Sequence, residues 1–281
     1  MTAFEHIPAR DAASPLLLLC DHASAALPEG YGRLGLDPAL FETHIAHDIG
    51  AAQVTRTLAG HFGAAAVLGR WSRLLVDLNR GADDPTLVMK LSDGSIIPGN
   101  REAGPDEIAR RIRDFHAPYH AAITAELDRI EAFLPCARES AQAGEGEGGV
   151  QPSPNVAGPR ASEGRRGQSR AAIISIHSFT PAWKGQARPW EVGVLWDKDR
   201  RLAGPLMSRL SQHAFVWGDN EPYSGALEND CLSRHGTRRG LAHVLVEIRQ
   251  DLIGTDADAR SFAHKLAFVL SAALGDMERL R

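Results

Sequence analysis

The sequence predicts a single α/β domain, helices packed on a mixed or mostly parallel sheet. Three observations predict it: short apolar runs of strand length, helical periodicities between several of them, and one low-complexity stretch after which the strand pattern resumes. Runs suited to buried strands are Pro15 to Cys20, Ala64 to Leu68, Leu74 to Leu78, Ala171 to His177, Val192 to Trp196 and His243 to Ile248. Each is nearly continuous in apolar residues, as expected of a strand covered on both faces.

Between these runs the period changes. Pro38 to His61 reads as helical. Pro105 to Leu134 is a stronger case, because Ile108, Ile112, Phe115, Tyr119, Ile123, Leu127, Ile130 and Leu134 recur every three or four positions and Pro105 suits a first turn. Pro118 inside it predicts a kink. A last helix, about Asp256 to Leu274, is expected to bury Phe262, Leu266, Phe268 and Leu270.

Ser140 to Arg170 holds seven Gly and three Pro, with Val150 and Val156 as its only large apolar residues. Such a segment buries too little to offset its ordering entropy, so a disordered insertion at 140–170 is expected. It reads as an insertion rather than a linker, because AAIISIH continues the strand pattern directly after it and the preceding half is an incomplete sheet. A single domain over 1–281 follows.

Composition narrows the function classes. The 281 residues are 43% hydrophobic and 23% charged, a globular balance with a net charge of −4. No basic field exists to hold nucleic acid or an anionic membrane, and neither a signal peptide nor a spanning helix is visible, so a cytoplasmic location is expected. Cys20, Cys136 and Cys231 are odd in number and far apart, which suits buried inert thiols rather than a disulfide framework.

In open α/β sheets ligands collect beyond the carboxyl ends of the strands. The polar residues standing there are Asp21, His22 and Ser24 after LLLLC, Asn79 and Arg80 after LLVDL, His177 and Ser178 after AIISI, and Glu247 and Arg249 within VLVEIRQD. One histidine beside a strand is ordinarily a satisfied core or turn residue. Two on separate strand ends suit a zinc site, which in enzymes takes three protein ligands and keeps one position open. THIAHDIGA offers the third ligand as His44, His47 or Asp48.

Glu247 interrupts an apolar strand, where an unpaired carboxylate is expensive. It is either an ion-pair partner of an arginine or a general base that takes a proton from water. Arg80 with Asn79 at a strand exit can grip a substrate carboxylate, and Arg73 is a further cation at the start of the same run. Ser24 and Ser178 lack a Gly-x-Ser-x-Gly elbow, and no phosphate-binding glycine loop is present.

The segments CDHASAALP, HIAHDIGA, SRLLVDLNR, SIHSFTP, NEPYSG, RHGTRRG and VEIRQDLI, in this order, resemble the N-formylglutamate amidohydrolase family, a distant relative of zinc carboxypeptidases. The resemblance spans Cys20 to Ile253. It implies a three-layer α/β/α sandwich of the phosphorylase/hydrolase-like type and metal-dependent amide hydrolysis. It also implies His22 and His177 as metal ligands, Glu247 as general base, and Asn79 with Arg80 as the carboxylate-binding pair. The carboxypeptidase pattern puts a ligand Glu three residues after the first histidine, where this chain has Ala25. The acidic HIAHDIGA segment nominates Asp48 instead, with His44 in reserve. The expectation is thus a zinc enzyme cleaving a formyl or other small N-acyl group from a carboxylate-bearing amino acid, with Arg73 or a neighbouring arginine stabilising the oxyanion. The competing expectation is a non-catalytic ligand- or metal-binding protein on the same fold.

Overall fold

The computed structural model describes residues 2–134 and 171–279. The expected insertion at 140–170, and Cys136, lie outside the described residues. Strands are Phe4–Ile7 (β1), Leu16–Cys20 (β2), Ala65–Gly69 (β3), Leu91–Ser92 (β4), Ser95–Ile96 (β5), Ala172–Phe179 (β6), Ala182–Trp183 (β7), Gln186–Ala187 (β8), Val192–Leu195 (β9), Trp217–Asp219 (β10) and Ala242–Arg249 (β11). Helices are Ala51–Phe62 (α1), Pro98–Arg101 (α2), Pro105–Arg111 (α3), Ala117–Phe133 (α4), Ala203–Gln212 (α5), Cys231–His235 (α6) and Asp256–Arg279 (α7).

Seven strands form one sheet in the order β1-β3-β2-β6-β11-β9-β10. The central four, β3, β2, β6 and β11, run parallel; β1 and β9 pair antiparallel with their neighbours. The sheet is therefore mixed and mostly parallel, with helices on both sides. On one side β2, β6 and β11 pack Leu18, Ile174 and Val246 against α1, α5 and α7; on the other, Leu17, Leu19 and Ile173 meet Tyr119, Ile123 and Leu127 of α4. Alternate residues of one strand thus enter two cores, which is why these strands read as unbroken apolar runs.

Four sequence expectations are corrected. Leu74 to Leu78 is no strand but a series of turns. Its leucines are as buried as a strand's would be, while side chains meet two of its carbonyls: Asn100 Nδ2 donates to the Leu74 carbonyl and Arg111 Nη1 to that of Leu75, at 2.7 and 2.8 Å. Burial decides the apolar pattern, and burial alone does not specify an extended backbone.

Pro38 to His61 is not one helix. A 3₁₀ turn at Pro38–Glu42 is separated from α1 by a loop ending at Gly50, whose φ is +78°. A Cβ there would lie 2.1 Å from the Ile253 carbonyl oxygen, so only glycine fits and the helix begins after it. The kink expected at Pro118 takes the form of a π turn at Ile112–His116 joining α3 to α4. The wider turn absorbs the ring's clash with the preceding turn and its missing N–H. Finally, α7 runs on to Arg279, and Phe268 is 64% exposed because it falls on the face opposite Phe262, Leu266 and Leu270.

Candidate active site at the carboxyl ends of the central strands

His22 follows β2, His177 lies near the end of β6, and Glu247 stands opposite His177 in the parallel pairing of β6 with β11. Asp48 arrives from the loop before α1. Its N–H donates to the His22 carbonyl at 2.9 Å, so the turn that Gly50 permits delivers the carboxylate beside the histidine. Arg73 comes from the turn segment after β3, and Asn79 and Arg80 from its other end.

The structure brings three of the predicted ligands together. Asp48 Oδ2 lies 3.3 Å from His22 Nδ1 and 2.8 Å from His177 Nδ1. His44 turns to Asp93 instead, 3.2 Å away, and is one-third exposed. Behind the two imidazoles stand two further carboxylates. Asp77 Oδ1 is 2.7 Å from His22 Nε2, and Asp21 Oδ2 is 3.0 Å from His177 Nε2. A carboxylate on Nε2 holds a proton there, so that Nδ1, on giving up the proton it shares with Asp48, would present its lone pair at the shared point, as in histidines that bind a metal.

Asp77, which contacts both His22 and Arg73, is a residue of this candidate site that sequence reasoning missed, and Asp21 was noted only for its position. Asp77 carried the same signal as Glu247, an acid inside an apolar run, LLVDL. Asp21 is itself held by Tyr119, whose hydroxyl donates at 2.8 Å, and by Ser175 at 3.2 Å.

Electrostatics follow from this crowding. Burial by itself raises the Asp48 carboxyl, but His22 and His177 outweigh it and hold it well below the ordinary range. Burial likewise lowers His177, yet its hydrogen bonds to Asp21 and Asp48 push it well above a free imidazole. Protons on the histidines thus stand in for a positive charge that three buried aspartates demand. Asp21, Asp48, Asp77, His22 and His177 are each less than 5% exposed. A divalent cation that displaces these protons fits the donor set, because imidazole nitrogen and carboxylate oxygen are zinc ligands and binding releases protons.

Burial raises Glu247 to about 7, with Asp48 adding to the rise and His177 and Arg73 opposing it. Its Oε2 is buried without a hydrogen-bond partner. Arg73 is anchored by Asp77 Oδ2 at 3.0 Å and approaches Asp48 Oδ1 at 3.4 Å. Asn79 is partly engaged in the scaffold, its side-chain oxygen accepting the Cys231 N–H at 3.3 Å. His22, Asp48, His177, Glu247, Arg73 and Arg80 all line one cavity of about 500 Å³.

Behind Arg80 runs a chain of buried imidazoles. His116 Nε2 is 2.8 Å from the Arg80 carbonyl and 3.1 Å from His120 Nε2, and His120 Nδ1 is 2.8 Å from His235 Nε2. A carbonyl only accepts, so His116 Nε2 bears its proton, His120 Nε2 faces it with a lone pair, and His120 Nδ1 donates to His235. Burial keeps these rings neutral, with His120 at about 2 and His235 at about 4. His120, Cys231 and His235 also lie close enough to gather a cation. The hydrogen bonds among these rings brace the Arg80 backbone.

The family model of N-formylglutamate amidohydrolase matches residues 14–138 and 160–254. Among solved structures, the gene product Atu2144 from Agrobacterium tumefaciens is 28% identical, with a TM-score of 0.79 over 99% of this chain and 97% of that one. N-formylglutamate amidohydrolase from Ralstonia eutropha JMP134 is 16% identical, with a TM-score of 0.63 over 100% of both chains. This second likeness is one of fold. No curated protein matches the chain. No helix among the described residues is long and apolar enough to cross a membrane.

Proposed function

The chain belongs to the N-formylglutamate amidohydrolase family, and from that premise we propose that it hydrolyses a formyl or other small N-acyl group from a carboxylate-bearing amino acid. The observation that carries this reading is the convergence of His22, Asp48 and His177 beside an acid, Glu247, whose Oε2 has no partner. His22 Nδ1, Asp48 Oδ2 and His177 Nδ1 would hold one divalent cation, which we assign as zinc from the donor set. When bound, such an ion supplies a Lewis acid that polarises the amide carbonyl and acidifies water.

Glu247 Oε2 takes the proton from the attacking water and returns it to the leaving nitrogen. A C–O bond forms, the amide C–N bond breaks, and the products are the free acid and the amino acid. A carboxyl that titrates near neutrality suits both transfers. Arg73, kept in place by Asp77, is assigned to the oxyanion, and Arg80 with the Asn79 amide nitrogen to the substrate carboxylate. The reading carries with it a small-molecule substrate and a cytoplasmic location.

Glu247→Gln tests the assignment. It keeps the shape and removes the base, so turnover of N-formyl amino acids should fall by about 10² to 10⁴ with metal content unchanged. Near-normal turnover would assign Glu247 to structure, and loss of metal would make it a ligand.

A further inference from the structure

The reaction assigned above leaves one arginine without a task. Arg188 follows the short hairpin of β7 and β8, and its backbone is fixed on both sides. Its N–H donates to the Pro181 carbonyl at 2.8 Å, and its own carbonyl accepts from Arg249 Nη1 at 3.4 Å. Its guanidinium lies among three aromatic rings, 5.1 Å from the Tyr223 centroid, 5.6 Å from that of Trp183 and 5.8 Å from that of Phe179. Nη1 donates to Thr180 Oγ1 at 2.9 Å and to the Tyr223 hydroxyl at 3.2 Å. Among the described residues no carboxylate pairs with it, and because these bonds use Nη1, the edge formed by Nε and Nη2 is left for a ligand. Ring stacking and two hydroxyls set the plane of the fork before any ligand arrives, which is the preorganisation that two-pronged recognition of a carboxylate needs.

The frame around Arg188 is also wall of the candidate active site. Phe179, Thr180, Trp183 and Tyr223 line the same cavity as His22, His177 and Glu247. Trp183 and Tyr223 are 39% and 44% exposed, so the cage stands at the cavity mouth. Alternation along β6 puts Phe179 on the same face as His177 and two residues nearer the strand's end, an advance of roughly 6–7 Å. The other guanidinium groups of the cavity have assignments, Arg73 to Asp48 and Asp77 and Arg80 to the substrate carboxylate. Arg80 is delivered by the chain after β3 and Arg188 by the chain between β6 and β9, so the two cations reach the cavity from separate segments.

Resting on the amidohydrolase reading above, we propose that Arg188 is the residue that selects an acidic side chain, gripping a second substrate carboxylate at the cavity mouth while Arg80 takes the α-carboxylate. The spacing suits this division. In an extended N-formylglutamate the side-chain carboxyl carbon lies five bonds, about 6 Å, from the formyl carbon, a span close to the advance from His177 to Phe179, whereas the α-carboxyl carbon is three bonds away.

The test compares N-formylglutamate with its uncharged isostere N-formylglutamine in the wild type, Arg188→Met and Arg188→Lys. Methionine keeps apolar packing against the rings without charge, and lysine keeps the charge without the fork. Two readouts are used: kcat and KM of the zinc-loaded proteins, and calorimetric affinity in a Glu247→Gln background, which does not depend on turnover. A charge-assisted pair predicts that the wild type favours glutamate over glutamine by about 10- to 150-fold. Arg188→Met should bring that ratio close to one, with the loss falling in KM and Kd rather than in kcat, and Arg188→Lys should keep part of it. A ratio that survives Arg188→Met, an equal loss on both substrates, or a wild type that treats the two alike overturns this inference and leaves the amidohydrolase reading standing. Failure of the wild type to hydrolyse, and of the Glu247→Gln protein to bind, any N-formyl amino acid overturns both.

Discussion

Glu247 is costly to the folded protein in a way that can be measured without any substrate. Burial raises its carboxyl from 4.5 to about 7, so the folded state prefers it neutral. Its favourable contribution is therefore complete below pH 4.5 and is lost as the pH climbs through 7. At ~1.36 kcal/mol per decade, the full loss is about 3 kcal/mol, reached by pH 8. Glu247→Gln is an uncharged isostere that carries no such penalty. In urea unfolding with a chelator present, the variant should be more stable than the wild type by about 3 kcal/mol at pH 8 and by less than about 1 kcal/mol at pH 5. Added zinc should narrow the difference at pH 8, because a nearby cation favours the carboxylate. Equal stability of the two metal-free proteins at pH 8 would refute the reasoning, since it would mean that Glu247 is already paired or hydrated.

Three further outcomes are expected. Asp77→Asn removes the carboxylate that holds His22 in its tautomer, and zinc affinity, read by competition with a chelating dye, should fall by about 10- to 100-fold. Arg80→Ala should erase a preference for substrate acid over carboxamide of about 10- to 150-fold, the equivalent of a ~1.5–3 kcal/mol charge-assisted pair; equal turnover of acid and amide by the wild type would remove Arg80 from recognition. Arg111 is 2% exposed and donates to Glu107, Asn100 and the Leu75 carbonyl, so Arg111→Met should cost about 3 to 5 kcal/mol in urea unfolding.

Much of this protein was legible in the linear chain because burial imposes composition. A strand covered on both faces must be apolar at every position, so LLLLC, AIISI and HVLVEI announced the central sheet, and a polar residue ending or interrupting such a run had to have a use. His22, His177 and Glu247 were visible for that reason. The same logic misread Leu74 to Leu78, whose side chains are as buried as a strand's. Its backbone turns instead of extending, with local main-chain bonds and with Asn100 and Arg111 meeting the Leu74 and Leu75 carbonyls from 26 and 36 residues away.

The chemistry of the site was likewise divided. Residue types alone nominated two histidines and an acid, since imidazole and carboxylate hold a zinc-like divalent cation and a carboxylate beside it can move a proton. The choice between Asp48 and His44 rested on where the chain turns at Gly50, a glycine required by the Ile253 carbonyl some two hundred residues later. The carboxylates on the outer nitrogens come from Asp77, 55 residues from His22, and Asp21, 156 from His177. Contacts at such separations leave no periodic trace in the sequence. They exist because the parallel sheet brings the ends of β2, β6 and β11 side by side, and only the folded chain sets which acid faces which ring.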